Sequence, residues 1–143
     1  MASSVVYHIF FAISSYFFKI PKCWNGGTPT DPFGVTHTDV SNFVIFSCSW
    51  DRTWYQEYRV YGQYKTLTAS CVPYENMGKN GSCTIQVYAD DNLVYTKIVK
   101  QKTDLFKFSA DINGAEYIQV VITGDKDHYP NSMILMDAML WKE

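Results

Sequence analysis

Three segments hold the residues of this chain whose types and spacing could do chemistry. The first is 49–56, Ser49-Trp50-Asp51-Arg52-Thr53-Trp54-Tyr55-Gln56. An exposed indole gives a flat apolar face for the C–H side of a pyranose ring. Asp51, Arg52 and Gln56 beside it would fix the hydroxyls. An apolar platform with a few placed polar groups is what a small-ligand site requires. A Trp50/Tyr55 or Trp54/Arg52 stack would build such a platform. The competing reading is that Trp50 and Trp54 cap a core, since large aromatics are mostly buried. The second segment is 124–132, Gly124-Asp125-Lys126-Asp127-His128-Tyr129-Pro130-Asn131-Ser132. Asp127, His128 and Tyr129 suit a sugar. Asp125, Asp127 and Asn131 could give oxygens to calcium, which wants about six to eight. Their spacing is not that of a calcium loop, and no other cofactor is indicated. The third segment is 73–82, with Tyr74, Glu75 and Asn76. Asn80-Gly81-Ser82 is a formal glycosylation sequon, read as coincidence.

Catalysis has little behind it. The three histidines, at 8, 37 and 128, are scattered along the chain. No nucleophile elbow, paired-histidine zinc motif, phosphate loop or dinucleotide fingerprint occurs. Asp51, Glu75 and Asp127 could in principle form a glycosidase pair, which needs a separation of about 5–9 Å. Nothing in the sequence sets that distance, so an enzyme is not expected. The net charge of −2 gives no reason to expect a nucleic-acid partner. The basic stretch 97–102 (KIVKQK) reads as a solvated loop edge.

The elements that must position these segments are strands. The chain has 143 residues, 47% hydrophobic and 17% aromatic, which argues one folded domain. A chain of this size buries roughly 70% of its unfolded surface. From residue 43 onward, strand-like runs follow one another: 43–48, 57–61, 64–72, 83–89, 93–99, 105–112, 115–123 and 133–141. Inward positions recur with period two, as in Ile85/Val87, Phe106/Phe108/Ala110 and Ile118/Val120/Ile122. Asn113-Gly114 is a strong two-residue hairpin signal, because the type I′ turn needs positive φ at both positions. No segment after residue 20 has a helical period. About eight short strands with turns between them predict an all-β, jelly-roll-like antiparallel β-sandwich.

The links between these strands alternate in length. Long ones fall at 49–56, 73–82, 100–104 and 124–132. Short ones fall at Gly62-Gln63, Asp90-Asp91-Asn92 and Asn113-Gly114. If each link reverses the chain, the long loops share one end of the sandwich and the tight turns share the other. Loops on a rigid scaffold are where binding residues concentrate.

Four cysteines, at 23, 48, 71 and 83, lack zinc-site spacing. Cys71 and Cys83 share core-facing phases across the 73–82 loop, which leaves a disulfide and two buried thiols both open. Cys23–Cys48 is a second, weaker pairing. Residues 5–18 are strongly apolar but short for a membrane span, which needs about 20 residues. The segment 1–20 is readable as a strand or helix packed on the domain, as an export signal, or as an anchor or self-association surface. The single sandwich domain is assigned to 21–143, opening on loop-like composition over 21–42.

Several motifs resemble the NPCBM family of carbohydrate-binding modules, from about residue 31 to 141. Asp31-Pro32-Phe33-Gly34 followed by Ser41-Asn42-Phe43 is similar to its opening segment. The stretch from Tyr58 to Leu67 (YRVYGQYKTL) resembles its Y-x-L-x-G-x-Y-x-x-L strand pair. The stretch from Ile85 to Tyr95 (IQVYADDNLVY) resembles its D-G hairpin, with Asp91-Asn92 in place of the glycine. Phe108 to Ala115, then Ile118-Gln119-Val120, resembles its V-D-V-t-G-a segment, and Asp137-Ala138 its closing D-A. The resemblance implies a β-sandwich that binds glycans without catalysis, extracellular or on the cell surface. Many members carry a D-H-a-D-W stretch before the closing D-A; here Asn131-Ser132-Met133-Ile134-Leu135 stands instead. That departure shifts the expected sugar site toward 50–56. The alternative is a structural or protein-interaction sandwich that has lost the sugar site.

Overall fold

The computed structural model describes residues 5–8, 24–25, 29–38, 43–48 and 53–142. Ten strands occur among them: β1 (Val5–His8), β2 (Trp24–Asn25), β3 (Phe43–Cys48), β4 (Thr53–Arg59), β5 (Thr66–Pro73), β6 (Ser82–Ala89), β7 (Asn92–Lys100), β8 (Phe106–Asp111), β9 (Tyr117–Gly124) and β10 (Asn131–Trp141). Among the described residues no helix is long and apolar enough to cross a membrane.

The strands form two sheets. One runs β2-β3-β10-β5-β8, with β1 also paired to β10; the other runs β4-β9-β6-β7. Taken from β3 to β10, the chain crosses to the other sheet at every link except the β6–β7 hairpin. That is the jelly-roll order, and it brings far-apart strands side by side, such as β3 with β10 and β4 with β9. The period-two pattern drives it. β6 alternates half-buried and buried along its whole length, and β9 nearly so. Their buried faces, with those of β4, β5, β8 and β10, close one core containing Trp54, Tyr58, Leu67, Ile85, Ile118 and Ile122. β10 is enclosed on both sides, with Asn131 through Met136 all buried. Met133 and Leu135 face the main core, while Ile134 and Met136 join Ile45, Val72 and Tyr74 in a second cluster.

Cys71 and Cys83 are both buried and form no disulfide with each other, which decides between the two readings of that pair. Burial raises the Cys71 thiol well above its ordinary value, so it stays protonated and inert. Cys23 lies outside the described residues, as does the Cys48 side chain, so the Cys23–Cys48 pairing does too. Of the 1–20 segment, Val5–His8 pairs with β10; the rest lies outside the described residues.

The turn expected to close a hairpin at Asn113-Gly114 does not join two strands of one sheet. Asn113 and Gly114 have φ of 41° and 73°, and the Ala115 N–H donates to Ile112 O at 2.9 Å. The turn geometry is as expected, yet β8 and β9 belong to different sheets. Gly62-Gln63 likewise lies between β4 of one sheet and β5 of the other. A turn fixes reversal of the chain; which faces are apolar fixes the partner.

All pairings are antiparallel, so the strands from β3 to β10 alternate in direction. The links 74–81, 101–105 and 125–130 therefore share one end, as the length alternation predicts. Direct bonds tie them there: Gly78 N–H to Pro130 O at 2.8 Å, and the Gln101 side chain to Met77 O at 3.0 Å. The links 60–65, 90–91 and 112–116 share the opposite end, where Gly62 N–H donates to Ala115 O at 3.0 Å and Asp90 N–H to Tyr117 O at 3.0 Å. At that end Tyr61 has φ of 59°. A left-handed backbone costs a bulky residue about 1–2 kcal/mol. The Arg59 guanidinium over its ring returns only about 0.5–1 kcal/mol at an exposed site.

Candidate functional site

The long-loop end holds an open recess of about 290 Å³ lined by Lys79, Asn80, Asp127, His128 and Tyr129. Two links make it, 74–81 and 125–130, and their approach is close. A Cβ added at Gly78 would lie 2.8 Å from Pro130 Cδ and 2.9 Å from Tyr129 O. At Gly81 it would meet Pro130 O, and Met77 Sδ at 2.7 Å. Both glycines are thus required by proximity, not by unusual backbone angles. Glu75 N–H donates to Thr30 O at 2.8 Å, so the 29–38 hairpin braces the same loop from outside. That hairpin is organised around Asp31, which is 4% exposed. Its carboxylate accepts from the Phe33 and Val35 N–H groups at 2.9 and 3.1 Å and contacts His37 Nε2 at 2.9 Å. Burial alone would raise its carboxyl; the Val35 amide, His37 and the Phe33 amide outweigh burial and hold it below the usual carboxylate range.

Beside the recess, Asp125 orders two of its lining residues. Its Oδ1 accepts from Asp127 N–H at 2.8 Å, and its Oδ2 lies 3.2 Å from His128 Nδ1. The Asp127 amide first, then His128, hold the Asp125 carboxyl below its ordinary value. With Nδ1–H given to Asp125, a neutral His128 offers Nε2 as an acceptor. Asn131, fully buried, ties the loop to the sheet: Oδ1 accepts from Ser82 N–H at 2.9 Å and Nδ2 donates to Asp125 O at 2.8 Å. This is what stands where the family pattern places its polar stretch. Asn131 positions the loop from below.

The sequence-derived candidates divide sharply. Asp127, His128 and Tyr129 come together, with Tyr129 57% exposed. Trp54 does not join them. It is 1% exposed and pairs with Ile122 inside the sandwich, because β4 begins at Thr53 and places position 54 on its inner face. The expectation of a Trp54 sugar platform is therefore corrected. Tyr55, one position on, is 60% exposed on the outer face of the smaller sheet. Tyr74 is also corrected: it is 8% exposed and packs with Ile45 and Val72. Glu75 is exposed on the 74–81 loop. Trp50, Asp51 and Arg52 lie outside the described residues. Lys79 was not legible as a site residue, and Asn80 was visible only as a sequon; nothing local distinguishes them before the loops are paired. Asn131 is committed to Ser82 and Asp125, and among the described residues no group of three or more His, Cys, Asp or Glu could hold a metal.

The lining combines one aromatic ring with polar and charged side chains. One carboxylate, Asp127, lines it, whereas hydrolysis of a glycoside by the usual route needs two. No serine or cysteine is among its lining residues.

This jelly-roll module with its loop-end recess belongs to the NPCBM/NEW2 domain family, which matches residues 55–140. No curated protein matches it in sequence. Its fold is shared with the tandem CBM51 modules of Sp3GH98, a family 98 glycoside hydrolase from Streptococcus pneumoniae SP3-BS71, at TM-score 0.63 and 14% identity over 99% of this chain and 41% of that one. It is also similar to the CBM51 of Clostridium perfringens GH95 in complex with methyl-galactose, at TM-score 0.58 and 15% identity over 79% and 78% of the two chains. The M60 catalytic domain structure with CBM51-1 and CBM51-2 from Clostridium perfringens ZmpB matches at TM-score 0.57 and 13% identity over 80% of this chain. This chain spans 12% of that structure's length.

Proposed function

We propose that this chain is a noncatalytic glycan-binding module that receives a sugar in the recess between the 74–81 and 125–130 links. The observation that carries this is the convergence of Tyr129, His128, Asp127, Asn80 and Lys79 in one open concavity. Tyr129 supplies a ring to lie against a pyranose face. His128, oriented by Asp125, and Asp127 accept from hydroxyls, and Lys79 and Asn80 donate to ring or hydroxyl oxygens. Family membership supports the same reading, as do CBM51 modules described in complex with methyl-galactose and with GlcNAc. Such a module would act extracellularly or at the cell surface, where glycans are displayed.

The test is a glycan array probed with the full chain and with Tyr129→Ala and His128→Ala. Binding that both variants lose while their thermal unfolding is unchanged supports the proposal. A blank array at millimolar ligand, with folded protein, overturns it and leaves the structural or protein-interaction sandwich as the reading.

A further inference from the structure

The tight-turn end carries a second cluster that neither the core nor the recess uses. Arg59 Cζ lies 4.7 Å from the centroid of the Tyr61 ring and 5.7 Å from that of Tyr117. Arg59 Nε donates to Glu116 Oε2 at 2.6 Å. The rings are not packing material, since Tyr61 is 61% exposed and Tyr117 40%. Two sets of hydrogen bonds fix the backbone beneath them. Val60 N–H and Tyr61 N–H donate to Glu116 O at 2.8 and 3.2 Å. The Asp90 carboxylate, from the β6–β7 turn, accepts from Glu116 N–H at 3.1 Å and Tyr117 N–H at 3.0 Å. Tyr61 itself is held in the left-handed region, and the stacking available to it does not offset that strain. A strained residue that persists while exposing a large aromatic points to a use for the aromatic.

The geometry points to a second sugar-binding face, formed by Tyr61, Arg59, Tyr117 and Glu116, at the end opposite the recess. It extends the reading of the recess as a glycan site. Two preorganised tyrosine rings present flat apolar faces at small cost in side-chain entropy. The free Arg59 Nη groups donate to hydroxyls, and the Glu116 carboxylate accepts from them. The guanidinium charge is balanced by Glu116, and Asp91 stands on the neighbouring turn, so the face suits a neutral pyranose rather than an acidic one. Two exposed rings and a few polar groups give weak affinity, on the order of millimolar. A module with a sugar face at each end bridges two glycan chains, gaining in avidity what each face lacks.

The experiment is NMR shift mapping on the full chain, titrated separately with the methyl glycosides of galactose, N-acetylglucosamine and mannose. It is run on the unaltered protein, on Tyr129→Ala, and on Tyr61→Asn combined with Tyr117→Ala. Asparagine tolerates the left-handed backbone, so that variant keeps the fold. The expected result is shifts at Arg59 Nε and the Tyr61 and Tyr117 rings that survive Tyr129→Ala, with the Arg59 Nε shift lost in the double variant. Shifts confined to 79–80 and 127–129 overturn the second face and leave the recess standing. Shifts at the tight-turn end alone support this face and overturn the recess. Silence with every glycoside overturns both.

Discussion

Asp125 decides how the recess presents itself. Its two oxygens set the Asp127 backbone and the His128 ring, so it acts on any ligand through its neighbours. Asp125→Ala is expected to keep the fold and weaken sugar binding about tenfold, or ~1.4 kcal/mol. Calorimetric titration with the best array ligand measures this, and faster amide exchange at Asp127 accompanies it. Asp31 has the opposite character, buried and structural. Its folded carboxyl is held below the ordinary value, so ionised Asp31 favours the folded state. That contribution is complete above the ordinary carboxylate value of about 4 and is lost as pH falls through the lower folded value. Urea unfolding across that acid range checks it: stability falls with pH, and Asp31→Asn flattens part of the slope. Trp54 shows a residue whose type suggested one role and whose place gives another. Trp54→Ala is expected to cost about 3–5 kcal/mol of stability, a core truncation, read by denaturant unfolding.

At the scale of elements, the two links of the recess stand or fall together. Gly81→Ala forces a methyl group into the Pro130 carbonyl and Met77 Sδ. The expected cost is about 1–3 kcal/mol, as for overpacking elsewhere, with weaker sugar binding; urea unfolding and ligand titration on one sample report both. Much of this architecture was legible. β3 is found over Phe43–Cys48, the bounds read from its apolar run, and the period-two strands fall within one to four residues of expectation at their ends. What was not legible depends on distant partners. The polar residues 51–53 pulled Trp54 into the reading of a loop, and only pairing with β9 shows that β4 starts at Thr53. Asn113-Gly114 signals reversal whichever sheet comes next. The 79–80 side of the recess has no chemistry of its own until Gly78 and Gly81 let it meet 129–130.

For the molecule as a whole, the alternation of link lengths maps onto two ends of different character. The loop end is concave and mixed in charge; the turn end exposes Tyr61 and Tyr117. The sandwich core lies between them. Amide exchange is the measure of that body. The slowest amides are expected in the interior strands β10 and β9, each hydrogen-bonded on both sides, and faster exchange in β7, at the edge of its sheet. Equal protection in β7 and β10 would contradict this.

β10 also has a consequence in time. It comes last of the ten strands along the chain, yet it lies between β3 and β5, which pair with it and not with each other. Synthesis runs from the N-terminus, so β3 and β5 emerge with open edges that no earlier strand of this module closes. The larger sheet therefore cannot assemble vectorially. It waits for one strand to be threaded between two that have already been made, and until then the nascent module exposes the unpaired edges most prone to capture by another chain.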